Sequence, residues 1–312
     1  MTHFAFVFPG QGSQTVGMLD AWGDHPVVAR TLQEASDVLG QDLASLIHEG
    51  PKEQLDLTTN TQPVMLTASI ACYRAWIEET GRAPQVVAGH SLGEYSALVA
   101  AGALRLDAAL PLVRFRAQAM QDAVPVGEGA MAAILGLDAA AVVAGCAEVS
   151  RVSGQPVQAV NFNDPKQTVI AGNREGVQSA CEWLKSHGAK RALLLQVSAP
   201  FHSTLMKPAA ERLKPRLLET PLASPTIPVI NNIDVATPTD VASIRDALYR
   251  QAFGPVRWVE TIQAIRAMGV AHVIECGPGK VLAGLVKRID ANLATATLLD
   301  RSTLADIKGM LT

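Results

Sequence analysis

The chain opens on five consecutive apolar residues, Phe4–Phe8, closed by Pro9-Gly10-Gln11-Gly12-Ser13-Gln14. A continuous apolar run, as opposed to an alternating one, predicts a strand covered on both faces, as in a parallel sheet. Residues 26–57 break into short helical patterns joined by loops. Thr61-Gln62-Pro63 then opens a long helix, with Thr61 as N-cap and Pro63 in the first turn, where its missing N–H costs nothing. This helix runs to Glu79 and stops at Gly81. Val86-Val87 predicts a short buried strand, 94–101 a helix stopped by Gly102, and 107–123 a helix that ends before Pro125.

Beyond Gly127 the pattern changes. Residues 130–135 predict a strand, 138–149 a helix, 157–162 and 168–171 two strands across an Asn163-Asp164-Pro165-Lys166 turn, 175–187 a helix and 191–197 a strand. That β-α-β-β-α-β order is the ferredoxin-like unit, and it predicts a small subdomain inserted at 127–198. The first pattern resumes after Pro200. Helices are predicted at 205–218 (kinked or ended by Pro215), 240–252, 260–268, 280–289 and 304–311, and strands at 228–230, 272–275 and 295–298. Strands alternating with helices predict an α/β fold with a mostly parallel sheet, built from the discontinuous stretches 1–126 and 199–312.

Composition narrows the function. With 312 residues, 48% hydrophobic and 18% charged, the chain has ample material for a large core. A net charge of -3 without a long basic run excludes binding of nucleic acid through a broad basic face. Gly, Pro or charge interrupts each apolar stretch well before a membrane span. Met1-Thr2-His3-Phe4 carries no basic leader, so no signal peptide and a cytoplasmic location are expected. The four cysteines are scattered without a Cys-x-x-Cys pair, which predicts buried free thiols in a reducing compartment and no metal site.

The chemistry concentrates in Val86-Val87-Ala88-Gly89-His90-Ser91-Leu92-Gly93-Glu94-Tyr95. Strand, Gly-x-Ser-x-Gly, helix is the context of a nucleophile elbow: the glycines clear space around a tight turn, and Ser91 is aimed beyond the strand end. The alternative is an ordinary turn serine. The loop at 9–14 fails the dinucleotide fingerprint, because Thr15 stands where a third glycine should be, and no Gly-Lys-Ser/Thr follows for a phosphate-binding loop. It remains a tight loop able to expose backbone N–H groups at the carboxyl edge of the sheet.

Serine needs a base. Among seven histidines, His202 sits between a predicted strand and helix, where active sites of open sheets collect, whereas His90 beside Ser91 is expected to be structural. A group to hold the imidazole is not apparent from spacing; Asp234, Glu275 or a carbonyl group could serve. Arg114 and Arg116 point about 200° apart at helical pitch. Arg116 reads either as a surface arginine or as a bidentate clamp for a carboxylate.

Several stretches together resemble the malonyl-CoA:acyl carrier protein transacylases of type II fatty-acid synthesis. They are Phe8-Pro9-Gly10-Gln11-Gly12-Ser13-Gln14, Gln62-Pro63, Gly89 to Tyr95, Arg116 with Met120-Gln121, Val160-Asn161-Phe162-Asn163, Pro200-Phe201-His202-Ser203, Val229-Ile230-Asn231-Asn232, Arg250-Gln251 and Glu275-Cys276-Gly277-Pro278-Gly279, in family order over nearly the whole chain. The resemblance implies an α/β-hydrolase-like large subdomain and a ferredoxin-like small one, with the site between them. It implies that Ser91 carries the acyl group, that His202 is its base, and that the N–H groups of Gln11 and Leu92 form the oxyanion hole. It further implies that Gln251 holds His202 through a carbonyl oxygen, that Arg116 binds the malonyl carboxylate, and that Gln62, Asn161 and Phe201 line the pocket. The implied partners are malonyl-CoA and acyl carrier protein, with coenzyme A thioester as substrate, no cofactor and a monomeric enzyme. Lys185, Lys190, Arg191, Lys280, Lys287 and Arg288 are candidates for a local basic patch toward an acidic carrier. A serine thioesterase, a docking scaffold, a polyketide acyltransferase and the malonyl-loading subunit of a malonate decarboxylase are the competing readings.

Overall fold

The computed structural model describes residues 3–312; the absence of a leader signal read at Met1-Thr2 lies outside them. Strand β1 (Phe4–Phe8) is followed by helices α1 (Pro26–Leu39), α2 (Leu43–His48), α3 (Lys52–Leu55) and α4 (Thr58–Thr80). α1 spans 14 residues, longer than the short helices expected there. α4 starts a turn early, with Leu57 as N-cap. Thr61 instead turns its hydroxyl back to the carbonyls of Leu55 and Leu57, at 2.6 and 3.1 Å. Pro63 therefore lies inside the helix, and the bond it forfeits falls near the start, where fewest carbonyls depend on it. Gly81 ends α4 at φ 63, in the left-handed region that glycine tolerates.

β2 (Val86–Gly89), α5 (Gly93–Ala100) and α6 (Leu106–Asp122) come next. Then follow β3 (Gly129–Leu135), α7 (Ala139–Ser153), β4 (Val157–Asp164), β5 (Gln167–Asn173), α8 (Arg174–Ser186) and β6 (Arg191–Leu194). The chain finishes with α9 (Lys207–Glu219), β7 (Val229–Ile230), α10 (Val241–Gln251), α11 (Trp258–Ala267), β8 (His272–Cys276), α12 (Val281–Ile289), β9 (Ala294–Leu298) and α13 (Arg301–Met310). Pro215 neither ends nor shortens α9: the carbonyl it deprives belongs to Glu211, an exposed residue on the solvent side of the helix. β6 is shorter than expected: its regular pairing ends at Leu194, and one last bond runs from the Leu195 N–H to the Met131 carbonyl of β3 at 2.9 Å.

The architecture is mixed α/β with two separate sheets. The first has order β7-β2-β1-β8-β9, with parallel pairings throughout. The second has order β4-β5-β3-β6 and is antiparallel. All five residues of β1 are buried, as the unbroken apolar run requires. On one face Phe4, Phe6 and Phe8 meet Tyr73 and Trp76 of α4 edge-to-face, with centroids 5.6–6.2 Å apart. On the other, Ala5 and Val7 pack with Trp258 and Ile262 of α11. Because the first sheet is parallel, the loops after β1, β2, β7 and β8 gather at one edge.

Candidate active site

Three glycines shape the turn after β2. A Cβ on Gly89 would lie 1.9 Å from the Gly93 carbonyl, one on Gly93 would lie 2.1 Å from the Phe8 oxygen, and one on Gly10 would lie 2.6 Å from the His90 oxygen. No side chain fits at those distances, so the elbow, β1 and the loop after β1 can approach this closely only with glycine. Ser91 is held at φ 55, a left-handed conformation that costs a non-glycine residue about 1 kcal/mol. Gln11 and Leu92 line the pocket beside it, and among the described residues neither backbone N–H has a protein acceptor. Two unengaged donors beside a serine hydroxyl are the makings of an oxyanion hole.

His202 comes from the loop between β6 and α9, also at positive φ (64). Its Nε2 lies 2.6 Å from Ser91 Oγ. Its Nδ1 faces the backbone oxygens of Gln251 at 3.0 Å and Gly254 at 3.2 Å. Both are acceptors, so Nδ1 carries the proton and Nε2 is free to accept from Ser91. The Gln251 carbonyl belongs to the C-terminal turn of α10, where carbonyls lack helical donors and the dipole favours a cation. Burial and the nearby Arg116 charge push the His202 pKa down to about 3, so the imidazole rests neutral.

The imidazole is thus held by main chain, and the acid candidates lie elsewhere. Asp234 makes a two-pronged pair with Arg250 at 2.6 and 2.7 Å. Glu275 accepts from the Ala283 N–H in the first turn of α12 at 2.9 Å, and burial raises its pKa to about 7. The side chain of Gln251 points away from His202. Its Oε1 accepts from Arg116 Nη2 at 3.1 Å, and its Nε2 donates to the Ser91 carbonyl at 2.9 Å.

Arg116, on α6, is only 2% exposed, whereas Arg114 two residues earlier is half-buried and bonded to Gln41. Its Nη1 donates to Gln62 Oε1 at 2.8 Å and its Nη2 also reaches Ser91 Oγ at 3.3 Å. The guanidinium lies 5.4 Å from the Tyr95 ring centroid, and its Nε has no partner. Among the described residues no carboxylate pairs with it directly. A buried cation held only by neutral groups is a receptor for an anion.

Ser91, His202, Arg116, Gln11, Leu92, Gln62, Asn161 and Phe201 converge on one cavity of about 140 Å³. Asn161 sits at a register shift of β4 and leaves its Oδ1 without a partner. Phe201 is half-buried on the wall next to His202. His90 turns away from Ser91, bonding Asn163 Oδ1 at 2.8 Å and packing edge-on to Trp258. Sequence reasoning gave no role to Glu94 or Asn232, which hold the elbow from behind; both stand in the motif stretches, but nothing local shows that they meet. Of the basic-patch candidates, Arg288 is engaged with Asp164 at 2.7 Å, and the other five are exposed. All four cysteines are free and buried, and no group of metal-ligating residues forms among the described residues. No helix among them is long and apolar enough to cross a membrane.

The acyl transferase domain model matches residues 5–302. Malonyl CoA-acyl carrier protein transacylase from Escherichia coli K12 is 52% identical over 306 residues, covering 98% of each chain. Its namesake from Bacillus subtilis strain 168 is 48% identical over 97% of this chain and 96% of its own. The crystal structure of an acyl-carrier-protein S-malonyltransferase from Burkholderia pseudomallei superposes with a TM-score of 0.96 at 63% identity, covering 98% of this chain and 99% of that one. A malonyl-transacylase solved in complex with a type II PKS acyl-carrier protein superposes with a TM-score of 0.95 at 50% identity, over 97% of this chain and 98% of that one. A serine elbow, a neutral imidazole and a buried arginine on one cavity, with this likeness over almost the full length, mean that the chain belongs to the acyl transferase family that includes the malonyl CoA-acyl carrier protein transacylases.

Proposed function

We propose that the protein transfers a malonyl group from coenzyme A to the phosphopantetheine thiol of acyl carrier protein, through an acyl-serine, and so supplies malonyl carrier for fatty-acid synthesis. The observation that carries this reading is the 2.6 Å contact of Ser91 Oγ with His202 Nε2, over a buried Arg116 that lacks a carboxylate. In the first half-reaction Ser91 Oγ attacks the thioester carbon as His202 Nε2 takes its proton. The carbonyl oxygen gathers negative charge, met by the N–H groups of Leu92 and Gln11; one such donor contributes roughly 3–4 kcal/mol. The C–S bond breaks, and Nε2–H protonates the departing coenzyme A thiolate. In the second half-reaction the carrier thiol gives its proton to His202, attacks the acyl-serine and releases Ser91 Oγ, which regains the proton. No cofactor enters either step.

Arg116 selects the acyl group. His202 is depressed first by burial and then by the guanidinium charge, which the malonyl carboxylate neutralises, so binding also returns part of the basicity of the base. Acetyl leaves the cation unpaired and the base weak. Phe201 crowds a substituent on the malonyl carbon, so methylmalonyl is a weak substrate. A hydrolase has no evident use for Arg116. In this reading the chain divides into an α/β-hydrolase-like subdomain at 1–126 and 199–312 and a ferredoxin-like subdomain at 127–198, with the site between them; the parallel order β7-β2-β1-β8-β9 and the antiparallel order β4-β5-β3-β6 support it. The enzyme works as a cytoplasmic monomer on malonyl-CoA and acyl carrier protein.

The test is to incubate the protein with labelled malonyl-CoA, map the label and add carrier protein. Label is expected on Ser91 and then on the carrier, and Ser91→Ala, which has no hydroxyl to acylate, should abolish the labelling. Release of the label to water would make the protein a hydrolase; absence of labelling would make it a scaffold.

A further inference from the structure

Glu94, buried in the first turn of α5, has no task in the steps above. One of its oxygens, Oε2, accepts from the Asn232 backbone N–H at 2.8 Å and from Gln251 Nε2 at 3.0 Å. Asn232 in turn accepts the Ser91 N–H on its Oδ1 at 2.8 Å and donates from Nδ2 to the Gly89 carbonyl at 2.7 Å. Gln251 Nε2 also donates to the Ser91 carbonyl at 2.9 Å. The N–H and the carbonyl of the strained serine are therefore gripped by two different residues, and both of those residues meet on one carboxylate oxygen.

The same carboxylate decides which way the Gln251 amide faces. With Nε2 turned to Glu94, Oε1 is left toward Arg116 Nη2 at 3.1 Å. Flipped, the amide would set donor against donor at the guanidinium and acceptor against acceptor at Glu94. Glu94 also places a negative charge behind Arg116, with one amide between them.

We propose that Glu94 is a positioning residue whose carboxylate locks Asn232 and Gln251, so that together they hold Ser91 at its attacking angle and turn an acceptor toward Arg116. The proposal rests on the acyl-serine reading. Besides Arg116 of α6, the groups facing Glu94 are Asp234 on the loop after β7, the neighbouring Tyr95, and His202 across Gln251. Burial outweighs the bonds from Gln251 and Asn232 and the Arg116 charge, and raises the Glu94 pKa to about 7. Tyr95 stays neutral, raised to about 12, and His202 stays neutral down to about 3. Ionised, Glu94 receives both donors; protonated, it must place its own hydrogen among them, and the grip loosens. Acylation should therefore rise with pH through the neutral range.

The experiment follows the burst of coenzyme A release from malonyl-CoA in the wild type, Glu94→Ala and Glu94→Gln, across about pH 5.5 to 8.5. Phenylmethylsulfonyl fluoride, an uncharged serine reagent that makes no use of Arg116, runs in parallel. Folding is checked by circular dichroism and thermal melting. Glu94→Ala should slow malonyl acylation about 100-fold, chiefly in kcat, as a small displacement of reacting atoms does. Its reaction with the sulfonyl fluoride should fall about 10-fold. Glu94→Gln keeps an acceptor oxygen and should recover much of the rate, with the neutral-range limb of the pH profile gone. A folded Glu94→Ala acylating within about threefold of the wild type overturns the proposal. An unchanged sulfonylation rate overturns the grip on Ser91, and a Glu94→Gln profile identical to the wild type overturns the role of the charge. If Glu94→Ala does not fold, the Glu94→Gln profile decides. A wild type that takes no malonyl group would instead sink the transferase reading itself.

Discussion

Two strands lead to the active site, and they are built on opposite terms. β2 lies inside the parallel sheet between β1 and β7, and all four of its residues are buried. β6 is an edge strand whose Leu193 and Leu194 are 47% and 54% exposed. β2 delivers Ser91 at a left-handed φ, enforced by backbone contacts that only glycine permits. β6 runs into Leu195 and Val197, which give the pocket its wall, before the loop reaches Phe201 and His202. The nucleophile is strained, and strain persists only where the surroundings over-determine it. The wall needs only a shape, and shape can be supplied by an edge. His202 stands between the two cases: it arrives on a loop but is fixed by the main chain of α10.

Glycine substitutions sharpen this contrast most. Gly93→Ala drives a Cβ toward the Phe8 oxygen and should destabilise the protein by about 3 kcal/mol, read by chemical denaturation. Gly154→Ala, after α7 in the antiparallel half, meets nothing within 4 Å and bears only the cost of its φ of 69, about 1 kcal/mol. Equal losses would break the comparison. Next in size is Arg116→Ala, which should lower kcat/KM for malonyl-CoA about 100-fold and that for acetyl-CoA far less, in parallel acylation assays.

The buried imidazole gives a smaller and pH-dependent effect. His202 titrates near 3 when folded and near 6.5 when unfolded. Between those values the unfolded chain binds the extra proton, so the His202 contribution is complete above 6.5 and is lost as pH falls. Glu94, raised to about 7 from 4.5, has the opposite sign: its contribution is complete below 4.5 and is lost as pH rises through 7. His202→Gln should therefore gain on the wild type by up to about 1.4 kcal/mol per pH unit on acidification from 6.5, measured by denaturation at a series of pH values. The smallest effect belongs to the edge: Leu194→Ser should change stability by less than about 0.5 kcal/mol.

Much of the fold is legible in the chain because its signals are local. The apolar run Phe4–Phe8 marks the centre of a covered sheet, and Gly81 and Asp240 mark helix ends by their own geometry and side chain. Errors arose where a local rule had a tertiary escape. Pro63 and Pro215 sit within helices because the carbonyls they deprive lie near a helix start or toward water. β6 ends early because the chain past Leu195 follows the pocket instead of the sheet. In the site, Ser91 is legible because its constraint is a five-residue pattern. His202 is singled out from the other histidines by its place in a loop between strand and helix, whereas its role as the base, and that of Arg116 as a carboxylate clamp, lean on family likeness.

What the sequence alone determined is the alternation of elements, the glycine-bounded serine turn and the interruption of each apolar or basic run by residues of another kind. All of these depend on residues within a few positions of each other. Only the tertiary structure decided that a helix-end carbonyl takes the place of an acid behind His202, that the Gln251 side chain serves Arg116, and that Glu94 ties Asn232 to Gln251. Those bonds join residues up to 157 positions apart, and a hydrogen bond depends on a separation in space that spacing along the chain does not encode.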